Sequence, residues 1–190
     1  MKAKNTSFHS VMGVAAGCLA GCAAGKVDFS QIERPPRAAE LDEYNVFVGS
    51  WDWHAEMLNA EEPDKTWTGT AQWEWALDNR VLDGRLSAKS GRTNFDSMGI
   101  WTWNPKDKKY FWGMVNNWGY PQHGTAKYDA DTRTWTMPYT SVGLDGTTSY
   151  GEYLMKVVDN NALDWSMVEW ADGLHMVKKM EMKGTYKRRM

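Results

Sequence analysis

Pairs of tryptophans separated by one residue recur in one half of the chain: Trp51 and Trp53, Trp73 and Trp75, Trp101 and Trp103. Side chains on a β-strand alternate between two faces, so the two members of each pair point the same way. Indole rings bury a large apolar area and are costly to leave in water. The pairs therefore predict strands that share one surface covered with tryptophan, which is either a packed core or the wall of a pocket.

From Gly49 onward, strand-like segments alternate with short polar turns of the hairpin type, such as Asp145-Gly146 and Asp172-Gly173. The predicted strands cover residues 50–58, 66–77, 80–89, 95–104, 109–116, 122–129, 134–142, 147–158, 161–169 and 174–188. Successive hairpins indicate an antiparallel meander, and closing such a sheet removes its two long edges. We therefore predict an all-β fold, an antiparallel up-and-down β-barrel of about ten strands with a short N-terminal helix over residues 40–48.

The parity of the residues gives the predicted strands two different faces. The residues that alternate with the indoles are polar or charged, and they include Lys179, Glu181 and Lys183. The apolar parity collects Trp67, Trp73, Trp75, Leu77, Trp135, Met137, Tyr139, Leu163, Trp165, Met167, Met176, Met180 and Met182. One face therefore points into the barrel and the other into solvent.

We interpret the first residues as a targeting signal that does not belong to the folded domain. Lys2 and Lys4 precede a weakly apolar stretch that ends in Leu19-Ala20-Gly21-Cys22, which resembles the lipobox of bacterial lipoproteins. The alternatives are an ordinary secretory signal, or processing at Cys18. We predict a lipoprotein signal peptide over residues 1–21, lipidation of Cys22, a flexible tether over 22–39 and a barrel domain over 40–190.

This N-terminal signal predicts a location in the bacterial cell envelope, anchored by lipid. Ala23 follows the cysteine in place of the aspartate that retains enteric lipoproteins in the inner membrane, so the outer membrane facing the periplasm is expected. Both cysteines of the chain lie at or before residue 22, so no disulfide or thiolate site is expected in the barrel. The formal net charge of −2 does not favour nucleic acid or an anionic membrane surface.

The segment Gly49-Ser50-Trp51 after a short helix resembles the Gly-x-Trp opening of lipocalins and fatty-acid-binding proteins, the calycin barrels. That resemblance implies that Trp51 packs at the closed end of the barrel beside a basic residue of the last strand. Lys187, Arg188 and Arg189 are the candidates, and we take Arg188 as the barrel-closing partner.

Two further motifs are similar to those of an uncharacterised bacterial family of small secreted lipocalin-like proteins. They are Trp75-Ala76-Leu77-Asp78-Asn79-Arg80, and Gly99-x-Trp101-x-Trp103-Asn104-Pro105 followed by Tyr110. The similarity runs from about Glu40 to the C-terminus. It implies the fold but little about activity, because fold does not fix function.

Three histidines of the barrel region offer candidate chemistry. His54 lies between Asp52 and Glu56 on one predicted face, where a metal or a proton could bind, although a solvated outer face explains the cluster better. His175 is the residue that haem-binding nitrobindin-like barrels would use, but a β-bulge would be needed to turn it inward. Nucleophile and phosphate-binding motifs are absent from the sequence, so we expect a binding protein without a cofactor rather than an enzyme.

The leading hypothesis is a lipid-anchored barrel that binds an apolar or aromatic small molecule in a cavity lined by tryptophan and methionine. His123 enters this set from a glycine-flanked segment with amides and aromatics. The predicted ligand-binding residues are Trp53, Trp73, Trp75, Trp101, Trp103, Trp112, Met114, Asn116, His123, Trp135, Met137, Tyr139, Trp165, Met167 and Met176.

Two alternatives remain open at this point. Indole rings are large enough to fill the interior completely, which would give a solid structural barrel that docks to an unidentified partner of the cell envelope. A haem- or metal-dependent enzyme of nitrobindin-like type is the third possibility. The membrane contact is expected through the N-terminal lipid only.

Overall fold

The computed structural model describes residues 34–189, in which a short 3₁₀ helix precedes ten strands. The helix covers Ala39–Val46, and the strands are β1 (Gly49–Met57), β2 (Thr66–Ala76), β3 (Val81–Ser90), β4 (Thr93–Asn104), β5 (Lys109–Asn116), β6 (Gln122–Asp129), β7 (Thr134–Val142), β8 (Thr148–Asp159), β9 (Ala162–Trp170) and β10 (Lys178–Arg188). The predicted signal peptide, Cys22 and most of the predicted tether lie outside the described residues. Within residues 34–189, the chain has no helix that is both long and apolar enough to span a membrane.

The ten strands form one closed antiparallel barrel. Each strand pairs with its neighbours in the chain, and β1 closes the sheet by pairing with β10, where Trp51 lies opposite Arg188. Every strand therefore has two hydrogen-bonded neighbours, and the barrel exposes no strand edge. The predicted all-β, up-and-down barrel with a short helix is confirmed.

Alternation of side chains sorts the strands into an inner and an outer face, as β2 illustrates. Trp67, Ala71 and Trp73 are buried, whereas Thr68 and Gln72 between them are exposed. This pattern matches the predicted parity. Burial of the inner face supplies the main driving force for folding, since removal of apolar surface from water stabilises the barrel by roughly 25 cal/mol per Å².

The 3₁₀ helix plugs one end of the barrel, which we call the closed end. The ring of Tyr44 stacks on the ring of Trp135 with centroids 4.8 Å apart and planes 13° apart. Tyr110 meets the same indole edge-on, also at 4.8 Å, and Phe47 packs against it at 5.7 Å. Tilted and edge-on pairs of this kind are favourable beyond their buried area. The closed end is therefore a packed aromatic core.

Arg188, near the end of β10, joins the helix to the first and last strands. Its guanidinium carbon lies 4.1 Å from the centroid of the Trp51 ring. The same guanidinium donates hydrogen bonds to the carbonyls of Val46, Val48 and Asn160. The Trp51 Nε1–H in turn donates to the Phe47 carbonyl at 2.7 Å. Burial lowers the pKa of Arg188, and the carbonyls and the indole face stabilise its charge.

The last strand begins at Lys178, four residues later than predicted. Residues 171–177 form a loop closed by a hydrogen bond from the Ala171 N–H to the Val177 carbonyl, and the Asp172 carboxylate accepts a bond from the Met176 N–H. Met176 is 79% exposed in this loop. The prediction that Met176 lies on the inner face is therefore wrong, because parity was counted through a segment that is not a strand.

Replacement of Arg188 by alanine would leave three backbone carbonyls without their charged donor and would remove the cation over Trp51. We expect Arg188→Ala to lower the free energy of unfolding by about 2–4 kcal/mol. The measurement is urea denaturation of the full chain. Arg189→Ala is the matched control, because Arg189 makes an exposed ion pair with Asp52 and should change stability by less than about 0.5 kcal/mol. Equal losses in the two variants would contradict this account of the closed end.

Tyr44 gives the closed end a dependence on alkaline pH. Burial raises its pKa well above the ordinary value of 10.0, and its hydroxyl has no hydrogen-bond partner among the described residues. As the pH rises, the phenol thus ionises in the unfolded chain before it ionises in the barrel. Ionisation of Tyr44 therefore leaves the free energy of unfolding unchanged below pH ~10 and lowers it as the pH rises further.

We expect Tyr44→Phe to raise stability at neutral pH by about 1 kcal/mol, because it removes an unpaired buried hydroxyl. Above pH ~10 the free energy of unfolding of the variant should also fall less steeply with pH than that of the wild type. The difference between the two slopes should correspond to one bound proton. Urea denaturation at a series of pH values measures both effects. Parallel pH profiles for the variant and the wild type would refute the assignment.

Candidate ligand-binding cavity

The half of the barrel opposite the helix encloses a cavity of about 340 Å³. This volume lies within the range of about 300–1,000 Å³ that is typical of small-molecule sites. The cavity reaches the end of the barrel formed by the loops after β1, β3, β5, β7 and β9, which we call the mouth. The described barrel is thus packed at its closed end and hollow towards its mouth.

Nine of the fifteen predicted ligand-binding residues line the cavity. They are Trp53, Trp73, Trp101, Trp112, Met114, Asn116, Met137, Trp165 and Met167. Their role in binding stays a prediction, but the structure brings them together on one wall. The wall also includes apolar residues outside the predicted ligand-binding set, namely Met57, Trp67, Phe95, Trp118, Tyr153, Met155, Met180, Met182 and Tyr186.

Three of the predicted tryptophans belong to the closed end instead of the cavity. Trp135 lies under the Tyr44 ring, and Trp103 packs edge-on against Tyr110 at 4.9 Å. Trp75 donates from Nε1 to Asn45 Oδ1 at 2.9 Å, and the guanidinium of Arg37 lies over its ring. Parity placed these indoles correctly on the inner face, but parity does not report position along the barrel axis.

His123 and Tyr139 are the remaining predicted residues that do not line the cavity. His123 is exposed on the outer face of β6, where its Nε2 lies 3.4 Å from Thr140 Oγ1. Tyr139 faces inward but lies behind Trp112 and Tyr153, and its ring stacks on Tyr153 at 5.1 Å. The predicted contact of His123 with a ligand inside the barrel is therefore wrong, and Tyr139 supports the wall from behind.

Glycines on the inner face explain how a barrel with so many indoles keeps an open half. At three inward glycines, an added Cβ atom would overlap an aromatic ring that lies against the strand. The pairs are Trp73 and Trp101 over Gly84, Tyr139 over Gly151, and Trp165 over Gly184. The rings lie against the wall because these positions carry no side chain, which leaves the space along the axis free.

The side chain of Asn116 organises the loop at the mouth. Its Oδ1 accepts hydrogen bonds from the backbone N–H groups of Trp118 and Tyr120, and its Nδ2 donates to the Tyr120 carbonyl at 3.1 Å. Trp118 is thereby held edge-on to Phe95, with ring centroids 5.1 Å apart. Asn116 therefore lines the cavity, but its amide is already engaged by the loop.

One buried carboxylate interrupts the apolar wall. Glu169 is 3% exposed and faces inward from β9. The Tyr139 hydroxyl donates to Glu169 Oε2 at 2.9 Å, and Lys179 Nζ lies 3.0 Å from Glu169 Oε1. A buried charge needs such partners, because burial of an unpaired carboxylate is very costly.

Lys179 reaches the inner face through an irregularity in β10. The pairing of β10 with β9 shifts register between Lys178 and Met180, which leaves Lys179 as the extra residue of a β-bulge. The prediction that Lys179 points outward with Glu181 and Lys183 is therefore wrong. A bulge was considered for His175, but the sequence carries no signal that places it at Lys179.

The histidines of the described chain do not approach the cavity. His54 is exposed on the outer face of β1, and the carboxylate of Glu56 pairs there with Lys65 and Lys183. His175 stacks on Trp170 with centroids 4.1 Å apart, in the loop before β10. Residues 34–189 contain no cluster of three or more His, Cys, Asp or Glu side chains suited to a metal ion. Haem ligation by His175, as in nitrobindin-like barrels, therefore does not fit this cavity.

Comparison with known proteins supports the fold alone. No protein-family model and no curated protein matches the chain. The crystal structure of Rv2717c from M. tuberculosis superimposes with a TM-score of 0.59 at 11% identity, covering 82% of this chain and 100% of that one.

Two further solved structures were also matched over most of their length. They are a fluorescence-activating β-barrel designed de novo (TM-score 0.41, 14% identity, 78% of this chain and 98% of that chain) and EF1p2_mFAP2b bound to DFHBI (0.42, 11%, 78% and 98%). The similarity of these two is too low to carry an argument about this chain.

Proposed function

We propose that this protein is a binding protein that holds one small apolar or aromatic molecule in the open half of its barrel. The observation that carries the proposal is the cavity of about 340 Å³, whose wall is built mainly of indole rings and methionines. Transfer of an apolar ligand from water to such a wall is favourable in proportion to the area buried.

The chemistry of the wall favours a flat ligand. Indole rings make up much of the cavity wall, and aromatic ligands stack on indole rings or meet them edge-on. Methionines such as Met114, Met137 and Met167 add flexible, polarisable contacts that adapt to ligands of different shape.

The alternative hypothesis of a completely filled barrel agrees with the closed end only. Tyr44, Phe47 and Trp135 fill the space beneath the helix, whereas the half towards the mouth stays hollow. Close packing contributes to stability wherever it is achieved, and interiors are normally packed as densely as organic crystals. The open half is therefore better explained by a ligand than by a structural role.

Adjacent residues of β4 provide a matched test of the proposal. Ser97 faces the cavity, and Met98 is 46% exposed on the outer face. We expect wild-type protein to bind the neutral dye N-phenyl-1-naphthylamine with an increase in dye emission. Ser97→Phe should fill the cavity and weaken dye binding by about tenfold or more, whereas Met98→Phe should leave the affinity unchanged.

Dye titrations and urea denaturation of both variants measure affinity and folding separately. Dye binding that persists in a folded Ser97→Phe variant would place the site outside the barrel. Native mass spectrometry of the protein from its own cells would add the mass of any molecule that it carries.

We further propose that the protein is anchored in the bacterial envelope by lipid on Cys22. The support is the Leu19-Ala20-Gly21-Cys22 sequence after a short apolar stretch. Cells fed radiolabelled palmitate should label the wild-type protein and not the Cys22→Ser variant. Labelling of Cys22→Ser to the same extent would exclude this anchor.

A further inference from the structure

Polar side chains occupy one side of the cavity near the mouth. We call this set the polar belt, and its members are Gln122, Ser141, Glu169 and Lys179. Gln122 pairs in register with Ser141 across β6 and β7, and Ser141 pairs with Ser149 across β7 and β8. All of them except Lys179 are buried.

Opposite charges within the polar belt already neutralise each other. Lys179 Nζ lies 3.0 Å from Glu169 Oε1, and it also donates to Ser149 Oγ at 3.0 Å. Arg85 lies at the cavity wall too, but its guanidinium is turned outward to Asp83 Oδ2 at 3.2 Å. A ligand with a negative head would meet Glu169, and one with a positive head would meet Lys179. The belt therefore favours a head group without net charge.

Gln122 adds an unused hydrogen-bonding group to this neutral wall. Its side chain is 8% exposed, and its Oε1 has no hydrogen-bond partner among the described residues. Trp112, diagonal to Gln122 across β5 and β6, likewise has a buried Nε1–H without a partner in the described chain. An unpaired buried polar group destabilises the protein, and a ligand that pairs with it recovers that loss.

A hydroxyl group matches the Gln122 carboxamide. It can donate a hydrogen bond to the carbonyl oxygen of that group and accept one from its N–H. A hydroxyl also serves the carboxamide in either of its two orientations, since it donates and accepts. Carboxylates and ammonium groups each supply only one of the two roles.

We propose that the cavity selects an uncharged amphipathic alcohol or phenol, whose ring system lies against the indoles while its hydroxyl bonds to Gln122. This inference rests on the proposed function and specifies its ligand class. Discrimination arises because a site with unpaired buried polar groups binds a hydroxylated ligand better than its methyl analogue.

The test compares 2-naphthol with 2-methylnaphthalene, which has a methyl group in place of the hydroxyl. Both compete with bound N-phenyl-1-naphthylamine at neutral pH, and the measured quantity is the ratio of their two affinities. We expect Gln122→Leu to shift this ratio by about tenfold against 2-naphthol. Gln72→Leu, on the outer face of β2, is the matched control and should leave the ratio unchanged.

A second variant keeps the proposal falsifiable if Gln122→Leu does not fold. Lys179→Met leaves Glu169 with no cation and should raise the affinity for 2-naphthylmethylammonium by about tenfold relative to wild type, while the affinity for 2-naphthol changes little. An unchanged naphthol-to-methylnaphthalene ratio in folded Gln122→Leu, or no gain for the cation in folded Lys179→Met, would overturn the assignment. So would tightest binding of 2-naphthoate to the wild-type protein.

The two proposals fail in different ways. Absence of dye binding to the wild-type protein would contradict the proposed function itself. Normal dye binding with no dependence of the ratio on Gln122 would leave the apolar cavity in place and refute only the selection for a hydroxyl.

Discussion

Closure of the sheet between β1 and β10 is the constraint on which the rest of the structure depends. The pairing brings Trp51 beside Arg188, whose guanidinium lies over the indole and bonds to the carbonyls at the end of the helix. One cation thereby ties together the first strand, the last strand and the plug. Since the closed sheet has no free edge, its interior can be shaped by side chains alone.

Aromatic rings have two different roles inside this frame. Below the helix they contact one another, as Tyr44, Trp135 and Tyr110 do, and they fill the space. Around the cavity some of them lie against glycines of the strands, as Trp165 does over Gly184, and they surround the space instead. The same residue type is therefore a filler in one half and a wall in the other, and the inward glycines make the difference.

Much of the fold could be predicted from the sequence, because the strands and turns carry local signals. All strands except β4 and β10 begin and end within one residue of their predicted limits, since polar turn residues such as Asp129 and Asp159 mark those limits. The site was predictable only in part. Parity places Trp135 and Trp165 on the same inner face, but their depth in the barrel depends on where the plug from a distant segment reaches. Lys179 was missed, since a single bulged residue reverses the face and leaves no trace in the local sequence. Glu169 shares the inward parity of Leu163, Trp165 and Met167, but a carboxylate on that face is buried only because the bulge brings Lys179 to it.

The division of the barrel into a packed closed end and an open half has a consequence for how such a protein evolves. Residues that secure the closed end, such as Arg188 and Tyr44, do not line the cavity. Substitutions at Gln122 or Met137 alter the cavity and leave the contacts beneath the helix intact. The contacts that secure the plug are therefore mostly made by residues other than those that line the cavity, so selection can retune ligand preference while it keeps the closed end.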